Sequence, residues 1–354
     1  MNPFRRKYNV LVLGSDGMLG YDVFNFLEDH SHKKNTILNK VVGLTGKQCR
    51  DIKIHDYRSL RDWLDTSIRF DYVVNCIAYT DTNVIETTDV GRELSYHANV
   101  EIPKTLAEVC KNTDMRLIHI STDYVYSEWS GERMFNNWSK TCPKNTYGCH
   151  KLLGEMFIRN TMDRTKYSIL RTSSLYGMHG NKSFVHKILK KYYAIAKHNA
   201  LPTKSKKRSD SHNLNLEMVW DSYSVPTSTN ILKHSIFQII RTGNFGTFCA
   251  CGGLTRICGT GNNRGVTPLE FADAIITTFG ELYRYERDED LFNLKEPYLK
   301  GVNMTADDFH PRYSVMNTDI DWECPFYSYH WRDELDKFLR ENKIELLDFV
   351  ENLP

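Results

Sequence analysis

The sequence lacks any apolar run of the ~18 residues that a membrane-spanning helix needs, so no membrane segment is expected. A secretory leader is not expected either, because the basic stretch 1–7 is followed by a short apolar run and then by glycine. Neither sign of charge is in excess, since 46 Lys and Arg residues against 44 Asp and Glu residues give a net charge of +2. This balance disfavours a general nucleic-acid binder, which relies on a concentrated basic surface.

The cysteines give no sign of a disulfide framework or of a metal site. There are nine, odd in number and scattered, which predicts reduced thiols and a cytoplasmic location. Cys249, Cys251 and Cys258 lack a fourth ligand at suitable spacing, so we predict no zinc and no other metal. The basic run 204–208 is interpreted as an exposed loop, and the glycine-rich segment 259–265 as a linker.

The first motif joins a buried strand to a helix through three glycines. The strand is 8–13, and Gly14, Gly17 and Gly20 follow it, with apolar residues at helical spacing behind them. In a dinucleotide-binding loop the first glycine allows a tight turn, the second admits a pyrophosphate, and the third lets the helix pack on the strand. The alternative is a tight strand-to-helix turn without a ligand.

Further strands alternate with helices along the first half of the chain. They are predicted at 40–44, 72–76, 117–120 and 167–170, with a polar link after the first of these and helices near 57–65, 91–111 and 147–159. The alternation predicts an α/β fold, a Rossmann-type doubly wound parallel sheet with a smaller C-terminal substrate-binding lobe. The expected domains are 1–180, completed by 220–250, an interleaved lobe 181–330, and a helical tail 331–354. The ligand should lie beyond the carboxyl ends of the strands.

The residues that carry chemistry are Thr122, Tyr147 and Lys151. Tyr147 and Lys151 are four apart on a predicted helix and therefore share a face. A phenol with a pKa of ~10 is a poor acid at neutral pH, and a nearby ammonium group would lower that pKa. Thr122, at the end of a neighbouring strand, could hold the same substrate oxygen while a nicotinamide moves a hydride. The alternative for a Tyr-x-x-x-Lys spacing alone is a solvent-exposed helical pair.

With these motifs the sequence resembles the extended short-chain dehydrogenases/reductases, and among them the dTDP-4-dehydrorhamnose reductase family. The matching segments are 14–20, 71–80, 117–126, 145–155 and 170–177, with weaker matches at 225–227 and 310–314. The resemblance implies that the 4-keto group of a nucleotide-linked 6-deoxyhexose is reduced by NAD(P)H. It makes Tyr147 the general acid, Lys151 the group that lowers the pKa of Tyr147 and holds the nicotinamide ribose, and Thr122 the group that polarises the keto oxygen.

The same resemblance implies further contacts. Asp123 is expected beside the sugar. The residues expected along the cofactor are Gly14, Asp16, Gly17, Met18, Leu19, Gly20, Thr45, Ile54, Ala78, Tyr79, Thr80, Asn99 and Ser121, with Tyr147 and Lys151.

Three departures from the family pattern concern the substrate. Ser174 stands where the family often carries a Trp, which would leave room for an N-acetyl substituent unless Trp129 or Trp138 fills the same volume. The family's acidic residue is missing from 135–138, and its Val-Asp pair is replaced at 82–83. These changes put the sugar and any metal dependence in question, and leave the proton chemistry intact.

The choice of cofactor rests on the residues after the second strand. An acidic side chain there would favour NADH, whereas basic side chains would accommodate the 2′-phosphate of NADPH. The segment 44–50 contains Lys47 and Arg50 and no carboxylate, so we expect NADPH to be preferred over NADH. Ile54 is expected beside the adenine, or Ile52 if the loop shifts by two residues.

The second half of the chain is expected to supply the substrate lobe. Helices are predicted at 184–196, 230–240 and 267–279. A nucleotide-linked sugar carries a diphosphate, for which Arg312, with Lys187 and Lys190, would be suitable contacts.

Two other functions share this fold. One is a non-catalytic regulatory protein like the regulatory subunit of methionine adenosyltransferase, and the other is a sugar-nucleotide epimerase or dehydratase. Dehydratases commonly carry Asp-Glu after the catalytic threonine, and Asp123-Tyr124 lacks that pair, which favours simple reduction. The expected partner is a nucleotide-linked keto sugar, without nucleic acid or membrane, and a homodimer is a further expectation.

Overall fold

The computed structural model describes residues 6–126, 134–180, 182–200, 215–254, 264–287, 299–305, 308–317 and 330–353, except for the side chains of residues 199 and 200. The basic run 204–208, Cys258, Trp129 and most of 259–265 lie outside these ranges. Across the described ranges, no helix combines the length and the apolarity needed to cross a membrane.

In the described residues, ten strands form one large sheet and two small ones. They are β1 (Tyr8–Leu13), β2 (Leu38–Leu44), β3 (Tyr72–Asn75), β4 (Arg116–Thr122), β5 (Tyr167–Thr172), β6 (Leu175–Tyr176), β7 (Leu216–Val219), β8 (Thr227–Ser228), β9 (Gly246–Cys249) and β10 (Leu299–Val302). The large sheet is parallel, with the order β2-β1-β3-β4-β5-β9, while β10 pairs with β7 and β6 with β8. The predicted α/β parallel sheet is therefore confirmed.

Twelve helices are described. They are α1 (Met18–Ser31), α2 (Gly46–Ile52), α3 (Tyr57–Thr66), α4 (Thr82–Thr87), α5 (Asp89–Tyr96), α6 (Ile102–Thr113), α7 (Thr146–Thr161), α8 (Phe184–Ala200), α9 (Thr229–Thr242), α10 (Pro268–Arg287), α11 (Trp331–Glu341) and α12 (Lys343–Glu351), with a 3₁₀ turn at Asp123–Val125.

Helices cover both faces of the large sheet, as the alternation of side chains along β1 requires. Val10 and Val12 pack in a core with α1 and α9. Leu11 and Leu13 point to the other face, where they pack in a core with residues of α6 and α7. The segment that carries α9 and β9 thus returns from the second half of the chain to complete the large sheet.

Two local predictions need correction. The predicted polar link after β2 contains α2, because Thr45 and Gln48 form a capping box, a local signature of a helix start. The predicted helix 91–111 is formed by α5 and α6 with a π-helical turn between them at His97–Glu101.

The lobe predicted to bind the substrate has its own core, formed by residues of α8, α10, α11 and α12. The segment 331–353, predicted as a helical tail, is helical and belongs to this core through Leu335, Leu339 and Leu346. The carboxylate of Glu334 accepts a hydrogen bond from Ser228 (2.6 Å), which ties α11 to β8.

Candidate active site

A cavity of about 510 Å³ opens at the carboxyl ends of the strands, between the large sheet and the lobe. Its position is the one expected of a ligand site in a doubly wound sheet. The sequence-predicted residues in its wall are Gly17, Met18, Leu19, Ala78, Thr80, Ser121, Thr122, Asp123, Tyr147, Lys151, Ser174 and Lys187.

The glycine loop has the geometry that its spacing predicts. Gly14 has a φ of +76°, which suits glycine and strains other residues. A Cβ on Gly20 would lie 2.0 Å from the carbonyl oxygen of Gly14, so the close approach of α1 to the loop requires glycine there. Gly17 caps α1 without a side-chain hydrogen bond, which leaves the first N–H groups of this 14-residue helix for a ligand.

Tyr147 lies in the first turn of α7. The side chain of Asn145 caps this helix by accepting the Gly148 N–H (2.7 Å), while Glu86 accepts the Thr146 hydroxyl (2.8 Å) and the Tyr147 N–H (3.2 Å). The phenol is buried, and the Thr122 hydroxyl lies close to it in the wall of the same cavity. Burial raises the pKa of Tyr147 well above its usual value, and the neighbouring Thr122 hydroxyl opposes that rise.

The predicted action of Lys151 on Tyr147 stays a prediction, because in this structure the ammonium group is directed to other partners. The ammonium group donates to the carbonyl oxygen of Ile120 (2.6 Å) and lies 3.4 Å from Nε2 of His119. Burial, Thr122 and the Asp123 charge govern the pKa of Tyr147 instead. Burial also lowers the pKa of Lys151 itself to about 8, and the charge of Glu155 opposes this shift.

Asp123 is a buried carboxylate surrounded by hydroxyl groups. It accepts hydrogen bonds from Thr122 (3.1 Å), Ser173 (2.7 Å) and Ser314. Burial raises the pKa of Asp123 to about 6, and these hydrogen bonds act in the opposite direction.

Two of the predicted cofactor residues, Asn99 and Ser121, direct their side chains to other groups of the protein. Asn99 is fully buried in the π-helical turn, where its amide donates to the Tyr79 carbonyl (2.9 Å) and accepts the Tyr79 N–H (3.2 Å). Asn99 thus holds the predicted cofactor segment 78–80 in place rather than facing the cavity. The Ser121 hydroxyl donates to Glu155 (2.6 Å), although Ser121 lies in the cavity wall.

The predicted adenosine end is built differently from the expectation. Thr45 is the N-cap of α2, and the carboxylate of Asp16 accepts the Gly46 N–H (2.7 Å), so a carboxylate does reach this end of the site. The predicted contact of Ile54 with adenine is wrong, because its side chain is 2% exposed and packs in the core under α2 and α3.

A second cavity of about 430 Å³ adjoins the first and shares Tyr124, Ser174, Leu175, Phe184 and His310 with it. Ser174 has a φ of +40°, and its hydroxyl is hydrogen-bonded to that of Ser224 (2.6 Å). Trp138 is 78% exposed, so it does not fill the volume at Ser174.

The residues predicted to contact the diphosphate do not lie together in the structure. The guanidinium group of Arg312 forms an ion pair with Asp221 (3.3 Å), which directs it away from the predicted role. Lys190 is exposed on α8, whereas Lys187 and Lys182 line the first cavity.

His310 lies between the two cavities and was not predicted as a site residue. Its ring contacts the Asp308 carboxylate (2.6 Å) through Nδ1 and the Thr82 hydroxyl (3.2 Å) through Nε2. The weak motif 310–314 contains His310, but the sequence analysis predicts Arg312 as the functional residue of that motif. In the ranges that the structure covers, no three His, Cys, Asp or Glu side chains are grouped to hold a metal ion.

Sequence comparison connects this site to known proteins. The family model described as the RmlD substrate binding domain matches residues 8–344. The chain is 30% identical over 239 residues to the dTDP-4-keto-6-deoxy-D-glucose reductase of Streptomyces niveus, covering 67% of this chain and 70% of that protein. It is 31% identical over 190 residues to the dTDP-4-dehydrorhamnose reductase of Streptomyces griseus, covering 54% of this chain and 57% of that protein.

Solved structures share the fold. The dTDP-4-dehydrorhamnose reductase of Bacillus anthracis in complex with NADP has a TM-score of 0.70 and 22% identity, covering 96% of this chain and 100% of that chain. The enzyme WbmG of Bordetella bronchiseptica in complex with NAD and UDP has a TM-score of 0.67 and 15% identity, covering 99% of this chain and 98% of that chain. At these identities the likeness shows a common fold.

Proposed function

The chain belongs to the family of the RmlD substrate binding domain, as its resemblance predicted, and from this premise we propose that it reduces the 4-keto group of a nucleotide-linked 4-keto-6-deoxyhexose with NADPH. The observation that carries the proposal is the meeting of Thr122 and Tyr147 in the wall of one cavity with the glycine loop. A phenol beside a hydroxyl can deliver a proton to a keto oxygen, and a neighbouring dinucleotide supplies the hydride.

The residues at the glycine loop fit a dinucleotide. The uncapped start of α1 provides N–H donors for a pyrophosphate at Gly17, Met18 and Leu19. Segment 78–80, held by Asn99, would lie along the nicotinamide half, and Lys151 would reach the ribose after leaving the Ile120 carbonyl. Thr45 and Asp16 would lie at the adenosine end, where Arg50 provides a cation for a 2′-phosphate.

In the reaction, Tyr147 gives its proton to the oxygen at C4, and Thr122 holds that oxygen in place. Burial keeps Tyr147 protonated, which suits a general acid. Asp123 and Ser174 would contact the sugar, while Lys182 and Lys187 offer charges to the diphosphate. We do not carry Arg312 forward as a substrate contact, because it pairs with Asp221.

We propose dTDP or UDP as the nucleotide, with 4-dehydro-L-rhamnose or its 2-acetamido analogue as the sugar. No disulfide joins any of the seven cysteines in the described part of the chain, which supports a cytoplasmic location. A homodimer stays a prediction.

The test is to measure NADPH oxidation with a panel of dTDP- and UDP-linked 4-keto-6-deoxy sugars. We expect turnover with at least one of them and a loss of ~100-fold or more in Tyr147→Phe, with NADPH affinity little changed. Tyr96→Phe, on the exposed face of α5, is the matched control and should retain activity. Near-normal reduction by Tyr147→Phe would contradict the assigned acid.

The alternatives predict other results. A chain that binds NADPH and oxidises it with none of the sugars would favour a regulatory protein. A cofactor that stays bound and unconsumed while the sugar changes would favour an epimerase or dehydratase, which return the hydride.

A further inference from the structure

We propose that His119 is a positioning residue for Lys151: held by Asn75, it points a ring N–H at the lysine and keeps it at the Ile120 carbonyl with a weakened affinity for its proton. Its effect on the reaction rests on the proposed function, whereas the hydrogen-bond arrangement stands without it.

Three buried polar side chains form a line from β3 to α7. Asn75 ends β3, and His119 is its partner in the register of β3 with β4. Both are fully buried, and Lys151 of α7 is 1% exposed. The amide nitrogen of Asn75 lies 3.1 Å from Nδ1 of His119, and Nζ of Lys151 lies 3.4 Å from Nε2. Because these groups are withdrawn from solvent, their donors and acceptors must match one another.

The backbone N–H of Ile77 fixes the orientation of the Asn75 amide. That N–H can only donate, so the Asn75 atom that it contacts at 3.1 Å is the oxygen Oδ1. The amide nitrogen then faces His119, and since it also can only donate, Nδ1 of His119 must be the acceptor. Burial and the charge of Lys151 hold the pKa of His119 well below its usual range, so the ring is neutral. A neutral ring that accepts through Nδ1 carries its proton on Nε2, which faces Lys151.

This N–H favours the neutral amine of Lys151 over the ammonium form. An ammonium group has no lone pair, so it would face the His119 N–H as a second donor. The neutral amine can accept from His119 while it donates to the Ile120 carbonyl (2.6 Å). The opposite tautomer would let the ammonium group donate to Nε2, but would set Nδ1–H against the Asn75 amide nitrogen. Turning that amide round would set its nitrogen against the Ile77 N–H, so every arrangement with a charged Lys151 leaves two donors in contact.

The other ionisable groups that act on Lys151 are Glu155 and Cys76. Glu155 favours the ammonium form, but its carboxylate is held by Arg171 (2.6 Å). Burial raises the pKa of the Cys76 thiol to about 12, so this group is neutral at lower pH. Burial also lowers the pKa of Lys151 to about 8, in the same direction as the effect of the His119 N–H.

The consequence for the reaction is that Lys151 gains affinity for its proton when it leaves this arrangement. A lysine that turns to the hydroxyl groups of a ribose exchanges the His119 N–H for groups that can accept from it. The positive charge that could act on Tyr147 would therefore accompany cofactor binding.

The first measurement identifies the protonated ring nitrogen of His119 in the wild type, by NMR of protein labelled with ¹⁵N in histidine. The ¹⁵N shifts and the couplings to the ring protons distinguish a nitrogen that carries a proton from one that does not. We expect the proton on Nε2. A proton on Nδ1, or on both nitrogens, overturns the proposal.

The second measurement follows the titration of Lys151 with ¹³C at its ε carbon, in the wild type and in Asn75→Ala. The variant removes the donor to Nδ1, so the His119 proton can move to Nδ1 and Nε2 can accept from the ammonium group. We expect Lys151 to titrate near pH 8 in the wild type, and its midpoint to rise by about 1 pH unit in the variant as the proton moves. An unchanged midpoint, or a rise without the move of the proton, overturns the proposal.

Ser168→Ala is the matched control, because it also removes a fully buried polar group from the large sheet, a hydroxyl that donates to the Asn244 carbonyl (3.0 Å). Its Lys151 midpoint should stay within a few tenths of a pH unit of the wild type. An equal rise would assign the effect to loosened packing and overturn the proposal.

If Asn75→Ala does not fold, the wild type decides, because the Nε2 signal of His119 should show a step at the Lys151 midpoint as its acceptor gains a proton. Absence of that step then overturns the proposal. Neither NADPH nor a sugar is needed, so this result is independent of the test of the proposed function.

Discussion

Glu155 and Arg171 form a bidentate ion pair that is almost completely buried beneath the active site. Nε of Arg171 donates to Oε1 of Glu155 (2.9 Å) and Nη2 to Oε2 (2.6 Å), with side-chain exposures of 1% and 0%. Glu155 follows Lys151 by one turn of α7, and Arg171 lies near the end of β5. The pair therefore joins the helix that carries Tyr147 to the strand that leads to Ser173.

Glu155→Gln should destabilise the protein strongly, because it removes the counter-ion of a buried guanidinium group. Breaking one partner of a buried pair costs about 3–5 kcal/mol. The matched control is Glu101→Gln, which breaks the half-exposed pair with His97 and should cost about 0–1 kcal/mol. Urea unfolding of the three proteins measures the difference, and equal losses in the two variants would contradict it.

The stability of the wild type should fall relative to Asp123→Asn as the pH rises. Burial raises the pKa of Asp123 to about 6 from its ordinary value of 3.8, so the folded protein binds this proton more tightly than the unfolded chain. That stabilisation is fully present below the unfolded pKa and is lost as pH rises through the folded pKa, by at most about 3 kcal/mol. We expect the melting temperature of the wild type, measured from about pH 4 to about pH 8, to fall relative to that of Asp123→Asn as the pH rises. A difference in melting temperature between the two proteins that is constant over this range would contradict the assigned burial of the charge.

The features that the sequence predicts well are local. The glycine loop and its strand follow from short patterns in which each residue has one geometric task, as Gly14 and Gly20 show. The strand end at Thr122 and the helix start at Tyr147 also follow from local patterns, and the structure places both residues in the wall of one cavity.

The side-chain positions that the sequence did not predict depend on partners far along the chain. Lys151 is directed by the Ile120 carbonyl, and Arg312 by Asp221, which lies 91 positions away. Ile54 was expected at the adenine but is buried by the packing of helices on the sheet. Local spacing does not predict these contacts. An apolar residue can pack in a core or against a ligand, and a basic residue can form an ion pair or bind a ligand.

The preference for NADPH should depend on the charge at Thr45. Thr45 caps α2, and Asp is also a good N-cap, so Thr45→Asp should keep the helix while adding a carboxylate next to Asp16. We expect the ratio of kcat/KM for NADPH over NADH to fall by ~10-fold, which corresponds to about 1.4 kcal/mol. Thr45→Asn, which caps without charge, is the control and should keep the wild-type ratio. A wild type that favours NADH would show that Lys47 and Arg50 take no part.

Ser174 should control the size of the sugar that the site accepts. It lies in the walls of both cavities, and Trp138 is too exposed to replace the missing ring. A Trp buries roughly 150–250 Å², so its absence leaves space that a 2-acetamido group could fill. We therefore expect a higher kcat/KM for the UDP-linked 2-acetamido sugar than for dTDP-4-dehydrorhamnose, and a selective loss of the former in Ser174→Trp.

The backbone at this position determines which control is needed. Ser174 has a φ of +40°, a conformation that strains a bulky side chain, so Ser174→Trp could lower both activities through strain alone. Ser174→Gly relieves the strain and keeps the space open, and it should therefore retain the preference for the acetamido sugar. The decisive quantity is the ratio of the two kcat/KM values, since strain lowers both values and a steric block lowers one. A preference for the unsubstituted sugar in the wild type that persists in both variants would show that the space at Ser174 does not select the substrate.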